Sequence, residues 1–301
     1  MYKLIQKRVY AYWLSGALMI VSIAMLSVWG LRLGLDFRGG TLLEMEWSGD
    51  VPAIDVLQTA LQPLNLQSLT IQPSENKRVI FRYLAAEDQT NDQVVADIKK
   101  VDANVAITRT DFVGPSVSGQ IKQSAFQALI IAMLAIACYI AWAFRKVSKP
   151  VSSWEYGVQA VIALVHDVLF TLGTFAFLGH YYNIEVNAPF IAAILTILGF
   201  SVHDTIVVYD RIRENLLRLH EREDFEITVN RSLNETLARS LNTSFTVLFV
   251  LAALLIFGGE SIRAFSLALF VGIASGAYSS FYIASALLVT YYKWQKKRRN
   301  A

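Results

Sequence analysis

The chain has 301 residues, 54% hydrophobic and 17% charged, with a net charge of +3 and a mean hydropathy of +0.42. Soluble chains carry about 25% charged residues; here the apolar excess is arranged in long blocks, which excludes an ordinary soluble domain and points to a polytopic membrane protein. The charge is too small to suggest nucleic acid, and the single cysteine, Cys138, excludes an intramolecular disulfide.

Residues 1–10 form a short basic stub with Lys3, Lys7 and Arg8, followed by a first span at 11–31. That run is long enough to cross, and no clean small-x-small cleavage site precedes "GLDFRGG", so it reads as a retained helix. In "GLDFRGG", Asp36 and Arg38 flank the turn into the next segment, and Gly39–Gly40 permits backbone angles closed to other residues. A tight turn feeding a strand, or a device coupling membrane movement to the outer segment, would both need the glycine pair.

Residues 32–123 are the one long stretch between spans. "TLLEMEW" reads as a strand. "DVPAIDVLQTALQPL" reads as a helix capped by Asp50, with an early Pro52 and helical spacing of Ile54, Leu57 and Leu61. "LQSLTIQ" and "KRVIFRYL" read as strands separated by the turn "PSENK", "EDQTNDQVVADIKKV" as a helix and "NVAITRTDFV" as a last strand. This β-α-β-β-α-β order is that of a ferredoxin-like split unit, an α+β domain large enough for one core.

Further spans are expected at 124–144, 157–178, 188–209, 241–258 and 264–290, with a cytoplasmic loop at 210–240 and a basic tail at 291–301. Lys and Arg collect at the N-terminal stub, at Arg145, Lys146 and Lys149, along 210–240 from Arg211 to Arg239, and in "KWQKKRRN". Both termini are therefore expected in the cytoplasm of a multi-pass protein, with 32–123 outside. "RIRENLLRLH", with Leu216, Leu217 and Leu219 beside Arg213 and Arg218, is either an amphipathic surface helix or a continuation of the fourth span.

Charge enters the apolar blocks at two places. The third span contains "LVHDVLF" with His166 and Asp167; the fourth contains "SVHDTIV" with His203 and Asp204. At 1.5 Å per residue Asp167 lies about 18 Å, and Asp204 about 9 Å, from the cytoplasmic edge. The fifth span opens with "LARSLNTSF", placing Arg239 at its cytoplasmic end and the polar run Ser240, Asn242, Thr243 and Ser244 beyond it. A carboxylate held between hydrocarbon and a guanidinium can change protonation when its neighbour moves, as a proton relay requires. The alternative is that these groups only hydrogen-bond across helices, and for the histidines packing is the simpler reading. No metal site is expected, because His166 and His203 lack further ligands, and no enzyme pattern or cofactor motif stands out. In the sixth span Gly272 and Gly276 form a GxxxG spacing among Ala and Ser, expected to pack closely against another helix that the sequence does not name.

Four stretches in register, "GLDFRGGT", "FVGPSVSGQI", "SVHDTIVVYDRIREN" and "RSLNETLARSLNTS", resemble the SecF branch of the SecD/SecF family, RND-related subunits of the bacterial protein-export machinery. The resemblance implies six transmembrane helices as one RND-like half and a ferredoxin-like periplasmic domain in the inner (cytoplasmic) membrane. It implies SecD as pseudo-symmetric partner, the SecYEG channel and YajC as associates, and a translocating preprotein drawn across the bilayer by the proton-motive force. It carries a role in proton conduction onto Asp204 and Arg239. A small-molecule exporter of the RND type and a passive assembly factor remain as the other readings.

Overall fold

The computed structural model describes residues 2–74, 77–84, 88–145, 150–219 and 223–299. Glu75 and Asn76 of the expected turn, Lys146 and Lys149 of the second-to-third loop, and Arg222 lie outside them. In chain order the elements are α1 (Arg8–Val28), α2 (Leu35–Arg38), β1 (Gly40–Trp47), α3 (Ile54–Leu61), β2 (Gln67–Ser74), β3 (Arg78–Leu84), α4 (Asp88–Val101), β4 (Val105–Val113) and α5 (Pro115–Ala143). They continue with α6 (Ser153–Tyr182), α7 (Ala188–Leu219), α8 (Phe225–Phe257), α9 (Glu260–Ser279), a π-helical turn (Ser280–Ala284) and α10 (Ser285–Arg299). The chain divides into two compact units, 33–124 and the remainder.

In the smaller unit the strands form an antiparallel sheet in the order β2-β3-β1-β4. Alternation sets its two faces. Leu43, Met45 and Trp47 point inward with Val79, Phe81 and Tyr83, and meet Leu57 and Leu61 of α3 and Val94 and Ile98 of α4. Glu44 and Glu46, between them in sequence, turn outward to Arg78. Asp50 does not cap α3: the helix starts at Ile54 after Ala53, with no side-chain cap. Pro52 disfavours helical angles at Val51, so the helix cannot begin at the residue after Asp50.

The glycine pair before β1 is a geometric requirement. Gly39 and Gly40 have φ of +74° and +113°, in the region that favours glycine. A Cβ on Gly39 would lie 3.2 Å from the Val113 carbonyl oxygen, and one on Gly40 2.5 Å from that of Tyr83.

Among the described residues six helices are long and apolar enough to cross a membrane, and all but the first turns of α5 belong to the larger unit. α5 opens with Pro115, a residue pre-set for a first helical position. α6 opens on a capping box, Ser152 with Glu155, and closes on Asn183 in the left-handed region. α8 opens on Asp224, whose carboxylate accepts from the Glu226 amide at 2.9 Å. "RIRENLLRLH" forms no separate surface helix as far as Leu219: α7 runs unbroken past it, no Gly or Pro interrupting, with Asn215 buried against Ser232 and Glu235 of α8.

Helices α6, α7 and α9 form the centre. Small residues let them close. Gly173 of α6 packs on Ser22 of α1, Gly272 on Ile197 of α7, and a Cβ on Gly276 would stand 2.8 Å from Ser201 Cβ. The GxxxG face is thus occupied inside this chain by the fourth span. At the helix ends, Asn230 of α8 accepts from the Leu4 and Ile5 amides at 2.9 and 3.2 Å and donates to the Tyr2 carbonyl at 3.0 Å. Glu226 binds both Arg8 and Lys293, which joins the first, fifth and sixth spans.

Candidate functional site in the membrane helices

The two Val-His-Asp stretches put their carboxylates in different surroundings. Asp167, on α6, has no exposed surface. Its Oδ2 accepts from Ser201 of α7 and Ser279 of α9, and its Oδ1 from Ser275 of α9, each at 2.7 Å. His166 Nδ1 stands 3.1 Å from Oδ1. The four contacts fill the acceptor sites of one carboxylate.

Asp204, on α7, is also buried, at 1% exposed. It faces the other way, toward α8, where Ser244 donates to Oδ2 at 3.1 Å. Its helical turn is fastened on the opposite side: Thr205 Oγ1 and Ser280 Oγ are 2.9 Å apart, and Ser280 donates to the Ser201 carbonyl at 3.2 Å. Ser280 opens the π turn, and Ser285 closes it by donating to the Ser280 carbonyl at 2.9 Å. Single π turns inside α-helices occur frequently at functional sites.

The remaining expected residues divide. His166 is buried beside Asp167, whereas His203 is exposed on the outer face of α7. Arg239 is exposed and forms no ion pair with Asp204 among the described residues. It lines an open cleft of about 370 Å³ between α7 and α8, with Asp210, Arg211, Glu214, Glu235 and Thr236. Within that cleft Arg211 pairs with Glu214 and Glu235, each at 2.6 Å. Asp36, Gly39 and Gly40 belong to the smaller unit.

Sequence reasoning missed Ser201, Ser275 and Ser279 as partners of Asp167. Serines in a run of small residues read as packing, yet 275 and 279 are one turn apart on one helix face, and that spacing was the available signal.

A family model for the protein export membrane protein SecD/SecF, C-terminal, matches residues 93–294, and one for the SecD/SecF GG motif matches 26–47. The protein translocase subunit SecF of Thermobaculum terrenum is 42% identical over 96% of this chain and 92% of its own length. That of Escherichia coli O157:H7 is 37% identical over 92% and 84%. Among solved structures, the crystal structure of SecDF from Thermus thermophilus, a translocon-associated membrane protein, superposes with a TM-score of 0.81 at 30% identity over 96% of this chain. A super-membrane-facing form of SecDF gives 0.70 at 28% identity over 99%. This chain spans 38% and 40% of those two chains. A buried acidic pair on adjacent membrane helices, a glycine pair before the first strand and relatives matched over almost their whole length lead to one assignment: the chain belongs to the SecD/SecF family of protein export membrane proteins, in its SecF branch.

Proposed function

We propose that this chain is an accessory subunit of Sec protein translocation which, with SecD, uses the proton-motive force to promote preprotein export across the inner membrane. SecD supplies the other RND-like half, and the pair works beside the SecYEG channel and YajC. Both termini are cytoplasmic. Residues 32–123 form a periplasmic domain whose β-α-β-β-α-β order supports a ferredoxin-like fold, and it holds or releases the moving chain. Six spans, placed near 11–31, 124–144, 157–178, 188–209, 241–258 and 264–290, carry the energy-coupling part.

The observation that carries this reading is Asp204: a buried carboxylate in an apolar helix, met from the neighbouring helix by the Ser244 hydroxyl at 3.1 Å, with Ser240 beside it. Placing an acid at such depth costs roughly 2.5 to 3.5 kcal/mol on insertion scales, and residues retained at that cost mark ion and proton paths. Protonation that favours one arrangement of α7 against α8 lets a proton gradient bias a two-state element. Arg239, at the mouth of the cleft between the same two helices, is the second member of the path.

The test is preprotein translocation into inverted membrane vesicles containing this chain and SecD, with and without a proton gradient. Asp204→Asn is expected to remove the gradient-dependent portion while the complex still assembles. Full gradient stimulation in an assembled Asp204→Asn complex would make the carboxylate structural and end this reading of the site.

A further inference from the structure

We infer that Asp167 is a positioning residue for Asp204, acting as a hydrogen-bond acceptor and not as a carrier of the proton. The inference rests on the reading of Asp204 as the titrating group. Sequence alone treats the two Val-His-Asp stretches as equivalents, but their geometry separates them. Asp167 meets three hydroxyls at 2.7 Å and an imidazole at 3.1 Å; Asp204 meets Ser244 at 3.1 Å.

The connection between them runs through one turn of α7. Ser201 and Thr205 bracket Asp204. Ser201 is held by Asp167, and Thr205 by Ser280 of the π turn. The Ser280 hydroxyl also lies within hydrogen-bond reach of the Ser201 and Gly276 carbonyls, at 3.2 and 2.9 Å, its one proton shared between them, and Gly276 leaves no room between α9 and Ser201. Asp167 therefore ties α6, α7 and α9 at the level where Asp204 turns toward α8. A rotation or slide of α7 that changes the Asp204–Ser244 contact must break short, charge-assisted bonds at Asp167, the strong kind. Asp167 sets the register from which Asp204 works.

This role makes a chemical demand that differs from proton carriage. A positioning acceptor can be replaced by an isosteric amide. The amide oxygen would take the place of Oδ2 and accept from Ser201 and Ser279. The amide nitrogen would take the place of Oδ1 and donate to Ser275 Oγ and to His166 Nδ1 in its other tautomer. The Ser275 hydroxyl would then donate to a carbonyl of the preceding helical turn. A proton carrier tolerates no such exchange.

The experiment uses the full chain with SecD in inverted vesicles, comparing gradient-dependent with gradient-independent translocation and checking assembly in each preparation. Asp167→Asn is expected to keep the gradient-dependent portion within about twofold of wild type, since each of the three serine hydroxyls retains a partner. Asp167→Ala is expected to lower that portion at least about tenfold, the effect of one charge-assisted hydrogen bond, with gradient-independent translocation retained. If Asp167→Ala does not assemble, the Ser275→Ala/Ser279→Ala double variant decides: it keeps the carboxylate, frees α9, and should show the same selective loss. Asp167→Asn behaving like Asp204→Asn would make Asp167 a carrier and overturn the inference. Full gradient stimulation in the assembled double variant, or equal loss of both portions, would overturn it as well. Asp204→Asn, run in parallel, reports on the proton-carrying reading alone, so the two failures are distinguishable.

Discussion

Gly40 lies against the Tyr83 carbonyl so closely that a methyl group on its α-carbon would stand 2.5 Å from that oxygen. The contact joins the first residue of β1 to β3, its hydrogen-bonded neighbour, and φ at Gly40 is +113°. Both the angle and the space exclude a side chain. Gly40→Ala should weaken the smaller unit by about 1–3 kcal/mol. Amide hydrogen exchange in β1 and β3 of the full chain would show it as faster opening of both strands. Unchanged protection would mean that the chain end relaxes at little cost.

Tyr83, on a strand and not on a spanning helix, supplies a pH test. Burial pushes its hydroxyl from an ordinary 10.0 up to about 12, and the neutral group donates to Asn91 Oδ1 at 2.8 Å. The folded state holds this proton more tightly than the unfolded chain. Tyr83 therefore contributes stability that is fully present below pH 10 and is lost as pH rises toward 12. Tyr83→Phe should remove that part of the alkaline decline, measured by thermal unfolding across the interval. An identical decline in the variant would assign it to other groups.

Gly276→Val should separate α9 from α7. The added atoms would meet Ser201, whose Cβ is 2.8 Å from the first of them, and overpacking of this kind costs about 1–3 kcal/mol. Gly16 makes the comparison, because nothing within the chain lies within 4 Å of a Cβ there. In the isolated chain in detergent, Gly16→Ala should leave the melting temperature unchanged or raised while Gly276→Val lowers it. Equal effects would remove the argument from close packing.

The N-terminal segment makes a fourth prediction. Asn230→Ala removes the acceptor of the Leu4 and Ile5 amides and the donor to the Tyr2 carbonyl. At about 0.5–1.5 kcal/mol per bond, the N-terminal segment should open readily. Exchange at Leu4 and Ile5 should accelerate at least tenfold, whereas Asn230→Asp, which keeps the acceptor, should accelerate it less. Equal acceleration in both variants would show that the Tyr2 carbonyl is the contact that matters.

Much of this architecture could be read from one-dimensional patterns because its causes are local. Apolar blocks of sufficient length became helices, and the alternation in "TLLEMEW" became a strand with Leu43 and Met45 inside and Glu44 and Glu46 outside. The misreadings concern partners distant in sequence. Asp50 is a good capping residue, but Pro52 delays the helix. Gly272 and Gly276 announce a close neighbour without naming it, and α7 is that neighbour. Ser201, Ser275 and Ser279 converge on Asp167 across 34 and 108 to 112 positions of chain, a distance no periodicity reports. Spacing left open whether Arg239 reaches Asp204, and in the fold Arg239 lines a cleft with Asp210, Glu214 and Glu235.

The π turn at Ser280–Ala284 has a consequence for how sequences of this type tolerate length changes. A π turn amounts to one residue inserted into an α-helix, and each residue of an α-helix advances the chain by about 100°. Loss of one residue between 280 and 284, trivial in a loop, would return the helix to ordinary winding and rotate everything after it by that angle. Leu288 and Val289, now fully enclosed, would swing off the core face, and the basic end of α10 would turn with them. The sixth span therefore carries a phase offset as well as a composition, and a single-codon deletion there would be read by every side chain that follows.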